Sequence, residues 1–224
     1  MSKHAPAQPD AKPIERTGRS LLPWAIFVVV MLSALVADLG LKAWSFEHVA
    51  GAPVKVQTAE AGGPEVLVQS PETGQWVLAT EVGLTDIPER VPRHEPIVVV
   101  PGLLNFQLTL NTGAVFGTGQ GMRPVFIAVS VVAVVVILVL MARSPRRARV
   151  YHVALALILG GALGNLYDRV MYSAVRDMLH MLPSTGLWPW IFNPADVALV
   201  VGVGLVLVVS YLSDRAAAKQ KAAT

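Results

Sequence analysis

Two aspartates carry the first chemical suggestion in this chain. Asp177 lies in Ala174-Val175-Arg176-Asp177-Met178, just past a long apolar stretch. Asp196 lies in Phe192-Asn193-Pro194-Ala195-Asp196, where the next apolar stretch begins. An ionised carboxylate is costly near hydrocarbon, so an acid kept there points to a functional site. Two acids brought in from consecutive helix ends suggest an aspartic dyad. One ionised and one protonated carboxyl suit water-mediated hydrolysis of an amide. The base activates water; the acid protonates the carbonyl oxygen and later helps the leaving amine.

The local register separates the two acids. Asn193 is a preferred N-cap and Pro194 fits the first helical position, so Asp196 falls in the first turn of a helix. Free N–H groups and the positive dipole end favour its ionised form there. Capping alone would also explain an acid at this position. Asp177 lies in a polar interruption with no such helix end, and beside a second carboxylate it should hold a proton more readily. Neighbours on a strand point to opposite faces, which disfavours a plain Arg176–Asp177 pair.

Three further segments hold polar residues next to apolar runs. In Gly160-Gly161-Ala162-Leu163-Gly164-Asn165-Leu166-Tyr167-Asp168-Arg169, Gly160 and Gly164 make a small-residue face for close helix packing. Asn165, Asp168 and Arg169 share one helix face. Asp168 and Arg169 are expected to form a buried polar network bracing the site, although Asp168 is also a rival for the dyad. Asn111-Thr112-Gly113-Ala114-Val115-Phe116-Gly117 favours tight turns close to a ligand but is a weak signal alone. Asp38 and Lys42 stand four apart and are expected to neutralise each other at the membrane interface.

The elements that must position these residues are membrane helices. The chain has 224 residues, of which 54% are apolar and 15% charged, below the roughly one-quarter charge of soluble domains. Four windows, Leu21–Ala43, Pro124–Ala142, Val150–Tyr167 and Pro194–Leu212, each reach the about 20 residues that cross a bilayer. The first exceeds the about 7–15-residue core of a cleavable signal and no A-x-A site follows it. Arg16, Arg19, Arg143, Arg146, Arg147, Arg149, Arg215, Lys219 and Lys221 then fall on one side. By the positive-inside rule both termini are cytoplasmic. No basic stripe is interleaved with aromatics, so a nucleic-acid partner is not expected. Trp24, Trp44, Tyr151, Tyr167, Trp190 and Tyr211 sit where headgroup-level rings belong.

The segment 45–110 lies outside the cytoplasm in this topology. Its β-branched runs, broken by Gly62-Gly63-Pro64, Pro71 to Gly74 and Pro92, predict a small antiparallel sheet at the membrane surface. The fold class is thus an all-α bundle of four transmembrane helices with a small extracytoplasmic β-sheet subregion. Residues 1–20 read as a disordered cytoplasmic leader, 21–213 as the transmembrane domain and 214–224 as a cytoplasmic tail. The absence of cysteine excludes thiol catalysis and disulfides. His4, His48, His94, His152 and His180 show no metal-ligand spacing, so neither a metal nor another cofactor is expected.

Taken in order, these segments resemble the lipoprotein signal peptidases (signal peptidase II) of bacteria. The resemblance rests on Asp38-x-x-x-Lys42, Asn111-x-Gly113-Ala114-x-Phe116, Gly160-Gly161-Ala162-Leu163-Gly164-Asn165-Leu166-x-Asp168-Arg169, Asp177, and Phe192-Asn193-x-Ala195-Asp196. It implies an aspartic endopeptidase that removes the signal peptide from diacylglyceryl-modified prolipoproteins, before the lipidated cysteine. It implies that Asp177 and Asp196 form the dyad and that Asp168 is structural support. Asp38, Lys42, Asn111, Gly113, Asn165, Asp168, Arg169 and Asn193 become substrate-binding or supporting residues. The implied partners are lipidated prolipoproteins and membrane lipids. The implied state is a monomer in the bacterial inner membrane, with its site on the extracytoplasmic side. Arg176 and Pro194 replace residues that are usually apolar in the family, and segment 45–110 is longer than usual.

Three other readings meet specific objections. A proton-coupled carrier would show internal repeats and acids at mid-span. A Ser–Lys peptidase using Lys42 and Ser45 would want its serine in a tight glycine-rich elbow, and none is present. A non-enzymatic assembly factor would leave the paired acids with their flanking Asn and Arg unexplained.

Overall fold

The computed structural model describes residues 16–113 and 122–222. Of the expected disordered leader 1–20, residues 1–15 lie outside the described residues, as do the motif positions Ala114, Phe116 and Gly117, whereas Thr17–Arg19 forms a short 3₁₀ helix. Four helices dominate: α1 (Leu21–His48), α2 (Arg123–Arg143), α3 (Arg149–Tyr172) and α4 (Pro194–Ala222). All four are long and apolar enough to cross a membrane. In hydrocarbon a backbone must satisfy its own hydrogen bonds, and an uninterrupted apolar run does so as a helix. The helices overrun the apolar windows at Trp44–His48, Asp168–Tyr172 and Ser213–Ala222. Hydropathy marks only the part of a helix that sits in lipid, whereas the hydrogen-bond ladder continues past it.

Helix α3 is the hub of the bundle. Of its apolar window 56% is buried inside the protein, against 11% for each of the other three. Glycines let its neighbours come close. A Cβ on Gly160 would meet Met31 O and Ala34 of α1, and one on Gly161 would meet Ala195 O and Leu199 of α4. Gly202 of α4 lies in the same way against Ile158 and Ala154 O of α3. One apolar core joins Phe27, Ile137, Met141, Leu155, Ala156 and Leu159 from α1, α2 and α3.

The β structure is larger than the sequence reading expects. β1 (Val54–Thr58), β2 (Pro64–Gln69) and β3 (Trp76–Leu78) form one antiparallel sheet. β4 (Ile97–Val100), β5 (Leu104–Asn111), β6 (Val175–Met181) and β7 (Ile191–Phe192) form a second, in that order. The alternation of Val54, Val56, Val66 and Val68 places them inward, as the period of a strand demands. They share one core with Phe46, Val49, Ala79, Leu108 and Met178. That core fastens both sheets to the end of α1. β6 and β7 come from the interruption between α3 and α4, which shows no period-two pattern: Val175 to Met178 are buried without alternation. Pairing with β5, far away in sequence, makes β6 a strand.

The sheets are also tied to α3. Ser173, which follows α3, has φ 59°, the left-handed conformation that ends many helices. Its hydroxyl meets Thr58 Oγ1 at 2.9 Å, and Thr58 Oγ1 donates to Met171 O at 3.1 Å. β1 is thereby locked to the end of α3, at the end of the bundle that holds the acids.

Candidate active site

The site grows from the start of α4. Asn193 Oδ1 accepts the Asp196 N–H at 3.0 Å, and Asp196 Oδ2 accepts the Asn193 N–H at 3.2 Å. This reciprocal pair is the capping box that the sequence predicts. Asn193 then does more than cap. Its Nδ2 donates to Asp177 Oδ1 and, at 3.1 Å, to Asn165 Oδ1. Asn165 Nδ2 donates to Asp196 Oδ1 at 2.9 Å. Two amides therefore link the two carboxyls through a fixed frame drawn from α3, β6 and α4.

Asp177 is placed by sheet register. Residues Asn111 and Val175 are paired across β5 and β6, as are Thr109 and Asp177, so Asn111 and Asp177 are diagonal neighbours on one face. Asn111 Nδ2 donates to Asp177 Oδ2 at 3.3 Å, while its Oδ1 accepts the Gly113 N–H at 2.9 Å. Asp177 is only 1% exposed, whereas Asp196 is half-buried. Burial pushes the Asp177 carboxyl up to about 8, and the Asp196 charge pushes the same way. Hydrogen bonds from Asn193 and Asn111 and the nearby Lys42 charge pull against that rise. A carboxyl in such surroundings keeps its proton at neutral pH.

Beneath the acids lies a fully buried ionic network. Lys42 Nζ meets Asp38 Oδ2 at 2.8 Å, Asp168 Oδ2 at 3.4 Å and Asn165 Oδ1 at 3.1 Å. Two are ion pairs and the third is a hydrogen bond, so the buried ammonium faces two carboxylates and an amide oxygen. Asp38 Oδ1 accepts the Ala195 N–H at 2.9 Å, so an acid from α1 caps the free end of α4. Asp38 and Lys42 thus pair as expected, but both are 0% exposed and each also holds partners from other helices, so the pair is built into the support. A side chain on Gly164 would strike Asp38, which makes glycine a condition of this geometry.

Asp168 and Arg169 do not pair with each other. Consecutive helical side chains diverge by about 100°, and each finds a different partner. Asp168 takes a fork from Arg176, with Nη2 at 2.9 Å and Nε at 3.3 Å, and also accepts the Arg176 N–H at 2.9 Å. Arg169 Nη2 donates to Gly113 O at 2.8 Å and Nη1 to Asn165 O at 3.4 Å, beside the Phe126 ring. Arg169 therefore pins the Asn111–Gly113 turn to α3.

Two residues were missed by sequence reasoning. Arg176 reads as an oddity next to Asp177, yet it is the buried counter-ion of Asp168 and faces the Tyr172 ring at 4.4 Å. The alternation of a strand does place it opposite Asp177, a usable signal. Arg123 caps α3 through Nε to Arg169 O at 2.7 Å and Nη2 to Val170 O at 3.1 Å. No local signal announces it, because its partners lie far away in the chain.

Every described site residue of the sequence reading converges on one end of the bundle. Residues 75–212 match the family model described as signal peptidase (SPase) II. The chain is 39% identical over 121 residues to the lipoprotein signal peptidase of Desulfitobacterium hafniense (strain Y51), covering 54% of this chain and 78% of that one. It is 35% identical over 150 residues to that of Symbiobacterium thermophilum, covering 67% and 92%. A bacterial membrane enzyme solved by the in meso method superposes with a TM-score of 0.60 at 20% identity, over 85% of this chain and 90% of that one. Helix α1 precedes the matched range of the family model, so the placement of Asp38 and Lys42 rests on the ion pairs described above. With four membrane-length helices and a match over more than half its residues, the chain belongs to the signal peptidase II family.

Proposed function

We propose that this membrane peptidase removes the signal peptide from diacylglyceryl-modified prolipoproteins through an aspartic dyad of Asp177 and Asp196. The carrying observation is the amide frame of Asn165 and Asn193, which holds both carboxyls at one site. Asp196, at the positive end of α4 and open to one side, takes the base role and activates water. Asp177, buried and protonated, donates to the scissile carbonyl and then assists the leaving amine. Asn111 and Asn193 orient the acid, and each Asp177 oxygen keeps one lone-pair site beyond its amide donor. Lys42, Asp38, Asp168 and Arg169 hold the frame; Asn111 and Gly113 form the turn against which the substrate backbone lies. No cofactor enters this scheme.

The corresponding topology is a monomer in the bacterial inner membrane. Both termini are cytoplasmic, and the acids and both sheets are extracytoplasmic. The clustering of Arg143, Arg146, Arg147 and Arg149 at the end opposite the acids supports this orientation. The peptidase unit is 21–213 and 214–224 is a cytoplasmic tail, of which residues 214–222 continue α4.

The test is cleavage of a diacylglyceryl-modified prolipoprotein in proteoliposomes. Asp177→Asn and Asp196→Asn should each lower the rate by roughly 10⁴-fold or more, because groups acting as one unit fail together. Both proteins should keep the parental unfolding midpoint in detergent. Either variant cleaving within about tenfold of the parent would remove that residue from the dyad.

A further inference from the structure

At the end of the bundle remote from the acids lies a second built feature. A cavity of about 310 Å³ is lined by Leu22, Pro23 and Ile26 of α1 and by Arg146, Arg147 and Arg149 of the α2–α3 turn. It is far from the reaction: Leu22 and Asp38 are separated along α1 by roughly 24 Å at 1.5 Å per residue. Three arginines and three apolar residues thus line one amphipathic cleft.

The walls of this cleft are fixed. Thr17 N–H donates to Ser144 O at 2.9 Å. The Thr17 hydroxyl also lies 3.1 Å from Ser144 Oγ and 3.2 Å from His152 Nε2. Ser144 Oγ and His152 Nε2 are 2.8 Å apart, and all three side chains are buried. This polar clasp joins the segment before α1, the α2–α3 turn and the start of α3. It holds the arginine turn over the first turns of α1. Among the described residues neither Arg147 nor Arg149 has a carboxylate partner.

We propose that this cleft holds the headgroup phosphate of an anionic phospholipid, with its acyl chains running along α1 and α2. Arginine forks suit phosphate oxygens. Leu22, Val29 and Leu32 of α1 and Val135, Val136 and Val139 of α2 are exposed apolar side chains of the helices before and beside the arginine turn. A free phosphate ion would use the arginines and leave that apolar wall without a role, so the occupant is a lipid. Basic pockets between membrane helices recognise anionic headgroups by this chemistry. Topology alone accounts for the charge of the turn but requires no cavity, and the cavity is what the experiment addresses.

The purified full-length protein in detergent is titrated with dioleoylphosphatidylglycerol or dioleoylphosphatidylcholine, and bound lipid is counted by native mass spectrometry. The parent should retain the anionic lipid on the order of tenfold more than the zwitterionic one. Arg147→Gln with Arg149→Gln should weaken phosphatidylglycerol retention roughly 25-fold, about fivefold per arginine. Ile26→Trp, which fills the cavity with every charge kept, should do the same; the exposed arginines carry the test alone if that variant does not fold. Inorganic phosphate at the same concentration should not displace the lipid. Equal retention of the two lipids, parental retention in the arginine variant, or displacement by inorganic phosphate would each overturn the proposal. Peptidase activity is not the readout, so this result stands apart from the fate of the dyad.

Discussion

Asp177 and Asp196 have the same side chain but opposite surroundings, and that difference underlies the roles proposed for them. Asp196 sits where a helix end offers N–H donors; Asp177 sits on a strand inside a closed core, beside a second carboxylate. Its carboxyl is pushed up to about 8, so it is mainly protonated at pH 7 and loses its proton as pH rises. If it is the acid of the reaction, kcat/KM should be flat near neutrality and fall above about pH 8, approaching tenfold per pH unit. A profile that stays level up to pH 9.5 would refute a protonated Asp177. Removing a donor should move the limb in a known direction. Asn111 pulls the value down, so Asn111→Ala should shift the falling limb to higher pH.

The elements are held together by charge as well as by packing. Asp38 and Lys42 from α1, Asp168 from α3 and Arg176 from β6 form a buried set with two charges of each sign. Arg176→Leu would leave the Asp168 charge with the backbone N–H of residue 176 and the longer contact to Lys42. Losing one partner of a buried pair costs about 3–5 kcal/mol, so the unfolding midpoint in detergent should drop clearly and activity should fall with it. Adding Asp168→Asn removes the stranded charge and should restore part of the stability. A double variant no more stable than the sum of the singles would show that the pair is not coupled. Asp168 thus ties β6 to α3, which is how a residue eight positions before Arg176 controls where Asp177 stands.

On the scale of the whole molecule, the acids lie where two sheets meet the ends of four membrane helices. A scissile bond has to be presented at that depth. A diacylglyceryl group would anchor the substrate there, each methylene in hydrocarbon contributing about 0.8 kcal/mol toward membrane attachment. The unbound precursor is already in the membrane, so the gain is chiefly orientation. A prolipoprotein with an unmodified cysteine should therefore be cleaved on the order of 10²-fold more slowly than the lipidated form in the same vesicles. Comparable rates would separate cleavage from lipid presentation and reopen the Ser–Lys alternative. Lys42 weighs against that alternative already, since its ammonium is ion-paired with Asp38 and Asp168 and donates to Asn165.

Local physics made part of this protein legible in its sequence. Four helices follow from apolar runs that must satisfy their own backbone in lipid. The capping box of Asn193 and Asp196 follows from short-range hydrogen bonding. β1, β2 and β4 follow from β-branched runs between turn residues. What the tertiary structure decided depends on residues distant in the chain. β6 is a strand because β5 is beside it, and Asp177 meets Asn193 only because that register holds. Asp168 chose Arg176 over its neighbour Arg169 because a helix turns adjacent side chains apart while a strand brought a second arginine within reach. Asp38 became a buried cap for α4 because the glycines of α3 let three helices close around it. Sequence names the groups that can ionise; the packing around each determines which partner it meets and whether it keeps its charge.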